Sequence, residues 1–272
     1  MDSLFKILEE ERTKGHACAL CVVVSTRGST PLKTGAKMLL LDDGRLFGTV
    51  GGGNLEKKVI ENARLALDKK ESGLFQHNLL QQHGMCCGGT VEVYIESIQP
   101  PERLYIFGAG HVGRALAQYA ADLSFEVFLI DERKIELNRM LNPAVNKLPL
   151  HYRQVLSSLP FDKRSFVAIM TYDHTCDREI LAYCIKQPFA YLGMIGSRRK
   201  VEVTMKLLRS GLLYTEEELA RVDMPMGFET GANTPEEIAL SIAAKLVAVK
   251  NIGLGGRQKS GSAKRVQEII ME

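Results

Sequence analysis

The sequence predicts an α/β protein with a parallel-sheet domain in its C-terminal part and a smaller α/β domain before it. Three observations predict this. In the run Leu104-Tyr-Ile-Phe-Gly-Ala-Gly-His-Val-Gly113, an apolar strand turns through Gly108, Gly110 and Gly113 into a helix that starts near His111. The apolar run Phe125–Ile130 follows and ends in Asp131, 18 positions after Gly113. Apolar and amphipathic segments then alternate to the end of the ordered pattern, which implies parallel strands joined by helices. Strand, glycine turn, helix, strand and acid in that order form the Rossmann-type dinucleotide-binding fingerprint. The break Gln99-Pro100-Pro101-Glu102 separates the two parts, because two prolines interrupt regular structure. The expected division is an N-terminal α/β domain over 1–99, a Rossmann-like domain over 102–252 and a mobile, low-complexity tail over 253–272.

The N-terminal elements follow from local pattern. Residues 1–12 read as an acidic amphipathic helix without signal-peptide form. Cys18–Ser25 and Lys37–Leu41 are apolar strands, and Arg45–Val50 is a third strand turned by Asp42-Asp43-Gly44. Leu55–Asp68 has helical spacing, with Leu55, Val59, Ala63 and Ala66 on one face. Thr90–Ile98 alternates Val91, Val93 and Ile95 with polar neighbours and should be half exposed. In the C-terminal part, strands are expected at Leu104–Phe107, Phe125–Ile130, Phe166–Thr171 and Ala190–Ile195. Helices are expected near 111–122, 175–186, 198–210 and 235–250. The last has Thr234 as N-cap, Pro235 at its first position and Glu237 closing a capping box.

Composition narrows the classes. The chain has 272 residues, 45% hydrophobic and 25% charged, with a formal net charge of +3. So small a charge without a long basic run gives no reason to expect nucleic acid or an anionic membrane surface as partner. No apolar stretch is long enough to span a bilayer, so the expected location is cytoplasmic, with the six cysteines as reduced thiols. There is no G-x-S-x-G, no P-loop lysine and no H-E-x-x-H, which excludes those hydrolase, NTPase and zinc-protease signatures.

Four constellations carry chemistry. Gly51-Gly52-Gly53 lead into a helix, where their amides can cradle an anion; a flexible turn capped by Asn54 fits the same residues. Cys86 and Cys87 precede Gly88-Gly89, and a thiolate among glycines can meet a soft metal or carry sulfur; one buried cysteine beside an incidental one is the plainer reading. Cys18 and Cys21 are set aside, because positions i and i+3 of a strand face opposite sides. Gly196-Ser-Arg-Arg-Lys200 ends a strand and opens a helix. Ser197 can cap there, and Arg198 and Arg199 can fork onto phosphate, although a solvated helix start also fits. Asp173, His174 and Asp177 follow another strand and suit a metal or proton transfer, but capping is the preferred reading.

These marks together resemble the xanthine dehydrogenase accessory factors, the XdhC/CoxI family, over nearly the whole chain. The resemblance rests on Gly28-Ser-Thr-Pro31, Gly35-Ala-Lys-Met38, Gly48-Thr-Val-Gly-Gly-Gly-Asn-Leu-Glu56, Cys87-Gly-Gly89 and Phe107-Gly-Ala-Gly-His-Val-Gly113. It continues through Asp131-Glu-Arg133, Asp173-His174 with Asp177, Gly193-Met-Ile-Gly-Ser-Arg-Arg-Lys200, Pro225-Met-Gly227 and Thr234-Pro-Glu-Glu-Ile238. It implies a chaperone-like accessory role in molybdenum cofactor maturation rather than turnover. Such proteins bind the cofactor, support its sulfuration with sulfur from a cysteine desulfurase, and pass it to a molybdenum hydroxylase apoenzyme; a homodimer is the expected state. The chain departs from the family pattern at Tyr172, where histidine is common, at the extra thiol Cys86, and in a short segment from Leu141 to Asp162.

Carried onto this sequence, the resemblance makes Cys87, with Cys86, the thiol nearest molybdenum. The phosphate of molybdopterin falls to Gly51–Gly53 with Asn54, to Gly108, Gly110, His111 and Gly113, or to Ser197, Arg198 and Arg199. The alternative is an NAD(P)-dependent oxidoreductase or a nucleotide-sensing module. There Asp131 would accept from a ribose hydroxyl, favouring NAD, while Arg133 leaves room for NADP.

Overall fold

The computed structural model describes residues 3–30, 33–79, 89–211 and 213–252. Cys86, Cys87 and the expected tail after Ile252 lie outside the described residues. The chain divides into two compact units, Met1–Pro101 and Glu102–Glu272.

The first unit contains α1 (Leu4–Lys14), β1 (Cys18–Arg27), β2 (Lys37–Leu41), β3 (Leu46–Gly48), α2 (Gly53–Lys69), β4 (Gly73–Asn78) and β5 (Thr90–Ile98). Its sheet runs β3-β2-β1-β5-β4 and is antiparallel throughout. Alternation along β1 places Ala19, Cys21 and Val23 in the core that includes Leu55, Val59 and Ala63 of α2. Cys18 and Leu20 instead join Leu39 and Leu41, against which Leu4, Ile7 and Leu8 of α1 pack. The two cysteines thus face opposite sides, as strand periodicity requires. β3 is shorter than expected because Gly48 already takes a left-handed φ of +78°. β4 was not foreseen; it is an edge strand with Leu74 exposed, and one buried face gives little apolar signal.

The second unit contains β6 (Glu102–Phe107), α3 (His111–Asp122), β7 (Phe125–Ile130), α4 (Lys134–Asn138), β8 (Val145–Leu148), α5 (Tyr152–Val155), β9 (Ser165–Ile169) and α6 (His174–Cys184). It continues with β10 (Tyr191–Met194), α7 (Arg198–Ser210), α8 (Glu216–Ala220), β11 (Val222–Asp223) and α9 (Pro235–Ile252). The six strands are parallel in the order β8-β7-β6-β9-β10-β11. Counted from β6, this is the 3-2-1-4-5-6 order of the Rossmann fold, with its switch point between β6 and β9. Leu104, Ile106, Phe166 and Ala168 face α3 and α9 in one core. Tyr105, Phe107, Val167 and Ile169 face α6 in the other. Burial on both faces explains the continuous apolar runs that mark these strands in the sequence. β8 and β11, the two edges, carry too few apolar residues to be read that way.

The three fingerprint glycines have different reasons. Gly108 has φ +113°, and a Cβ there would lie 2.3 Å from the Met170 carbonyl oxygen. A Cβ on Gly113 would lie 1.9 Å from the Gly108 carbonyl oxygen, so α3 seats directly on the end of β6. Gly110 has φ −63°, and nothing stands within 4 Å of its Cβ position. Its bare backbone therefore answers neither a strained φ nor a packing need. Gly113→Ala should lower the unfolding midpoint by about 2–12 °C, from an overpacking cost of about 1–3 kcal/mol at about 2–4 °C per kcal/mol. Gly110→Ala should leave it unchanged. Thermal unfolding followed by circular dichroism checks both.

Candidate functional site

The site is built at the carboxyl ends of the parallel strands, where open α/β sheets take their ligands. The peptide of Ala109 is held on both sides. Its N–H donates to Asp131 Oδ2 at 2.8 Å, and its carbonyl accepts from Arg114 Nη1 at 2.6 Å. Arg114 also pairs with Glu136 on α4. Gly110 is the N-cap of α3, and no side chain accepts its cap hydrogen bond.

Asp131 is buried, and burial opposes its charge. Hydrogen bonds from the Arg133 guanidinium and from the Ala109 and Arg133 amides outweigh burial and hold its pKa below the ordinary carboxylate value. Arg133 lies over the Tyr172 ring at 4.3 Å, and the Tyr172 hydroxyl donates to Glu132 at 2.7 Å. Of these groups, Asp131, Glu132 and Tyr172 line a pocket together with Phe107, Gly108, Ile130, Leu150, Tyr152 and Cys176 among others. The Cys176 thiol forms part of the pocket wall, and burial and the nearby Asp173 shift its pKa upward. No sequence pattern marks this pocket, because Leu150 and Tyr152 lie in the segment after the short edge strand β8.

The second part of the edge centres on Asp177, which is fully buried. It accepts from the Thr171 amide at 2.9 Å and hydroxyl at 2.7 Å, and pairs with Lys200 Nζ at 2.6 Å. Lys200 also donates to the Ile195 carbonyl at 3.0 Å, tying the ends of β9 and β10 together. Asp173 caps α6 through the Thr175 amide at 2.6 Å. Asp173 is thus engaged as a helix cap and Asp177 in an ion pair with Lys200. Ser197 caps α7 through the Lys200 amide at 3.3 Å. His174, Arg178, Ser197, Arg199 and Lys200 line one groove where α6 and α7 begin. Arg198 turns away to Glu229, at 2.9 Å and largely exposed. Arg199 and not Arg198 therefore faces the groove.

In the first unit the triple glycine differs from expectation. Gly51, Gly52 and Gly53 all have positive φ, +134°, +71° and +60°. A nest requires right- and left-handed residues in alternation, which this run lacks. The Gly52 amide donates to Glu56 Oε2 at 3.3 Å, the Gly51 amide to Thr49 Oγ1 at 3.3 Å, and Thr49 itself to Glu56. The chain's own carboxylate fills the anion position. Gly52 is the N-cap of α2 and Asn54 lies within the first turn, because Glu56 does the capping expected of Asn54. A Cβ on Gly89 would lie 2.6 Å from the Arg27 carbonyl oxygen and 2.5 Å from that of Ser29. The segment Gly28-Ser-Thr thus packs on the last glycine of the Cys87-Gly-Gly89 motif, whose thiol lies outside the described residues.

The Asp177–Lys200 pair gives a stability test. Lys200→Met strands a buried carboxylate and should cost about 3–5 kcal/mol. The double variant Asp177→Asn, Lys200→Met removes the charge yet keeps an acceptor for Thr171, and should recover most of that loss in urea unfolding.

Comparison with known proteins agrees with this architecture. The XdhC Rossmann domain matches residues 104–246, and the XdhC and CoxI family matches residues 12–78. The chain is 40% identical over 245 residues to the Escherichia coli (strain K12) protein YqeB, covering 88% of this chain and 44% of that protein. It is 30% identical over 162 residues to a probable xanthine dehydrogenase subunit of Bacillus subtilis (strain 168), covering 59% of this chain and 47% of that one. The chain thus spans less than half the length of either relative. A crystal structure described as a xanthine dehydrogenase from Bacillus halodurans shares the fold, with a TM-score of 0.51 at 20% identity over 94% of this chain and 97% of that one. With more than half of its length matched by the Rossmann domain of the family, the chain belongs to the XdhC and CoxI family.

Proposed function

We propose that this protein is an accessory factor that binds the molybdenum cofactor and supports its sulfuration and its insertion into a xanthine dehydrogenase-type molybdenum hydroxylase. Family membership supports an accessory role, and the xanthine dehydrogenase name of the Bacillus subtilis relative supports the class of client. In this reading a cysteine desulfurase is the sulfur donor and a homodimer the working state.

The observation that carries the reading is the basic groove at the starts of α6 and α7. Arg199 and Lys200 stand in the first turn of α7, where the helix dipole disfavours cations. Lys200 is explained by Asp177. Arg199 and Arg178 gain a reason from an anion in the groove, which would also suit both helix starts. The donor set therefore fits the phosphate of molybdopterin. Arg199 would hold it by a forked, charge-assisted contact, with Ser197 ordering the turn and Lys200 fixing the strand ends beneath. Cys87 is the thiol we assign to sulfuration, a soft donor suited to molybdenum. When bound, the cofactor supplies the molybdenum centre that the client hydroxylase uses.

The test is anaerobic loading with molybdenum cofactor released from a donor enzyme, then gel filtration with molybdenum and pterin assay. Arg199→Glu should retain about 10–100-fold less cofactor, since a hydrogen bond to a charged group contributes about 1.5–3 kcal/mol. Equal retention would overturn the assignment of the groove. Cys87→Ala should keep the pterin but activate the client hydroxylase less; equal activation removes the thiol from the reading.

A further inference from the structure

The fingerprint acid is expected to accept from a ribose hydroxyl, but in this protein its acceptor positions are taken. Asp131 Oδ2 accepts from the Ala109 amide at 2.8 Å and from Arg133 Nη2 at 2.7 Å. Asp131 Oδ1 accepts from the Arg133 amide and from Arg133 Nε, both at 2.9 Å. A carboxylate has about four lone-pair sites, so no site is left for a sugar diol. Arg133 meanwhile is held on two sides, by Asp131 along its Nε–Nη2 edge and by the Tyr172 ring against its plane. Its Nη1–Nη2 edge makes no hydrogen bond among the described residues, and its side chain is 37% exposed. An immobilised guanidinium with one free fork is preorganised for a phosphate. The acids around it are engaged elsewhere, Glu132 with the Tyr172 hydroxyl and Glu136 with Arg114 and Arg139.

We propose that the pocket at the ends of β6, β7 and β9 binds a nucleotide, and that Arg133 makes it select one whose ribose carries a phosphate. The base lies against Ile130, Leu150 and Tyr152, the diphosphate approaches the bare backbone of Gly110, and the ribose phosphate takes the free edge of Arg133. NADP, with a 2′-phosphate, and coenzyme A, with a 3′-phosphate, share this chemistry. The proposal does not rest on cofactor maturation, and each can fail without the other.

Titration calorimetry of the full chain with NADP+, NAD+, coenzyme A and dephospho-coenzyme A tests it. At least one phosphorylated member should bind 10-fold or more tightly than its unphosphorylated counterpart, and the member that does so identifies the source. Arg133→Ala should erase that ratio while leaving the weaker ligand's affinity within about 3-fold, and Arg133→Lys should restore part of it, since lysine keeps the charge and loses the fork. Alkylation of Cys176, read by peptide mapping, reports occupancy at this pocket and should slow at least 5-fold with the preferred ligand. Equal affinities within both pairs, a ratio unchanged in Arg133→Ala, or Cys176 alkylated at the same rate with ligand would each overturn the proposal.

Discussion

The second unit depends on one close contact, the seating of Gly113 on the carbonyl of Gly108. It leaves no room for a single methyl group between the end of β6 and the first turn of α3. Around it the Ala109 peptide is fixed from both sides by Asp131 and Arg114. Each of these is a hydrogen bond to a charged group, a class that contributes about 1.5–3 kcal/mol. Their larger consequence is geometric. The end of β6, the end of β7 and the start of α3 become one rigid piece, and the edge of the sheet is positioned before any ligand arrives.

The other half of the edge repeats the device. Asp177 holds the Thr171 amide after β9 as Asp131 holds the Ala109 amide after β6. Each acid is neutralised by a cation further along the chain, Lys200 in one case and Arg133 in the other. A buried carboxylate without a partner would be costly, so these pairs come as units. Charge engaged in this way is structural. Charge left over, the free fork of Arg133 and the groove-facing Arg199, is what the fold offers to a ligand. Counting basic residues near a strand end does not separate the two kinds, and hydrogen bonds do.

That distinction explains what the sequence could reveal. β6, β7, β9 and β10 were legible because burial on two faces writes an unbroken apolar run, and α9 because Thr234, Pro235 and Glu237 mark its start. The Thr234–Glu237 capping box forms as read, with bonds of 3.2 and 3.1 Å. β4, β8 and β11 were not legible, since an edge strand needs only one or two apolar residues. The roles of Arg198 and Arg199 could not be separated either. The difference arises from Glu229, 31 residues along the chain from Arg198, and no local pattern encodes that pairing. The position of Asp131 after β7 marks it as the fingerprint acid, but its saturation by Arg133 depends on a side-chain path that position alone does not give.

The two glycine-rich helix starts show how similar patterns acquire opposite meanings. α2 follows Gly51-Gly52-Gly53 and α3 follows Gly108-Ala-Gly110, and in the sequence both suit an anion at a helix N-terminus. They differ at the fourth residue after the N-cap. In α2 that residue is Glu56, which reaches back to the Gly52 amide. In α3 it is Arg114, which reaches back to a carbonyl, that of Ala109. An acid at this position satisfies the orphan amides from within the chain. A cation cannot accept from an amide, and Arg114 is itself neutralised by Glu136. The start of α2 is therefore complete in itself. The start of α3 carries bare glycine backbone and no side-chain cap, and an anion from outside the chain satisfies both.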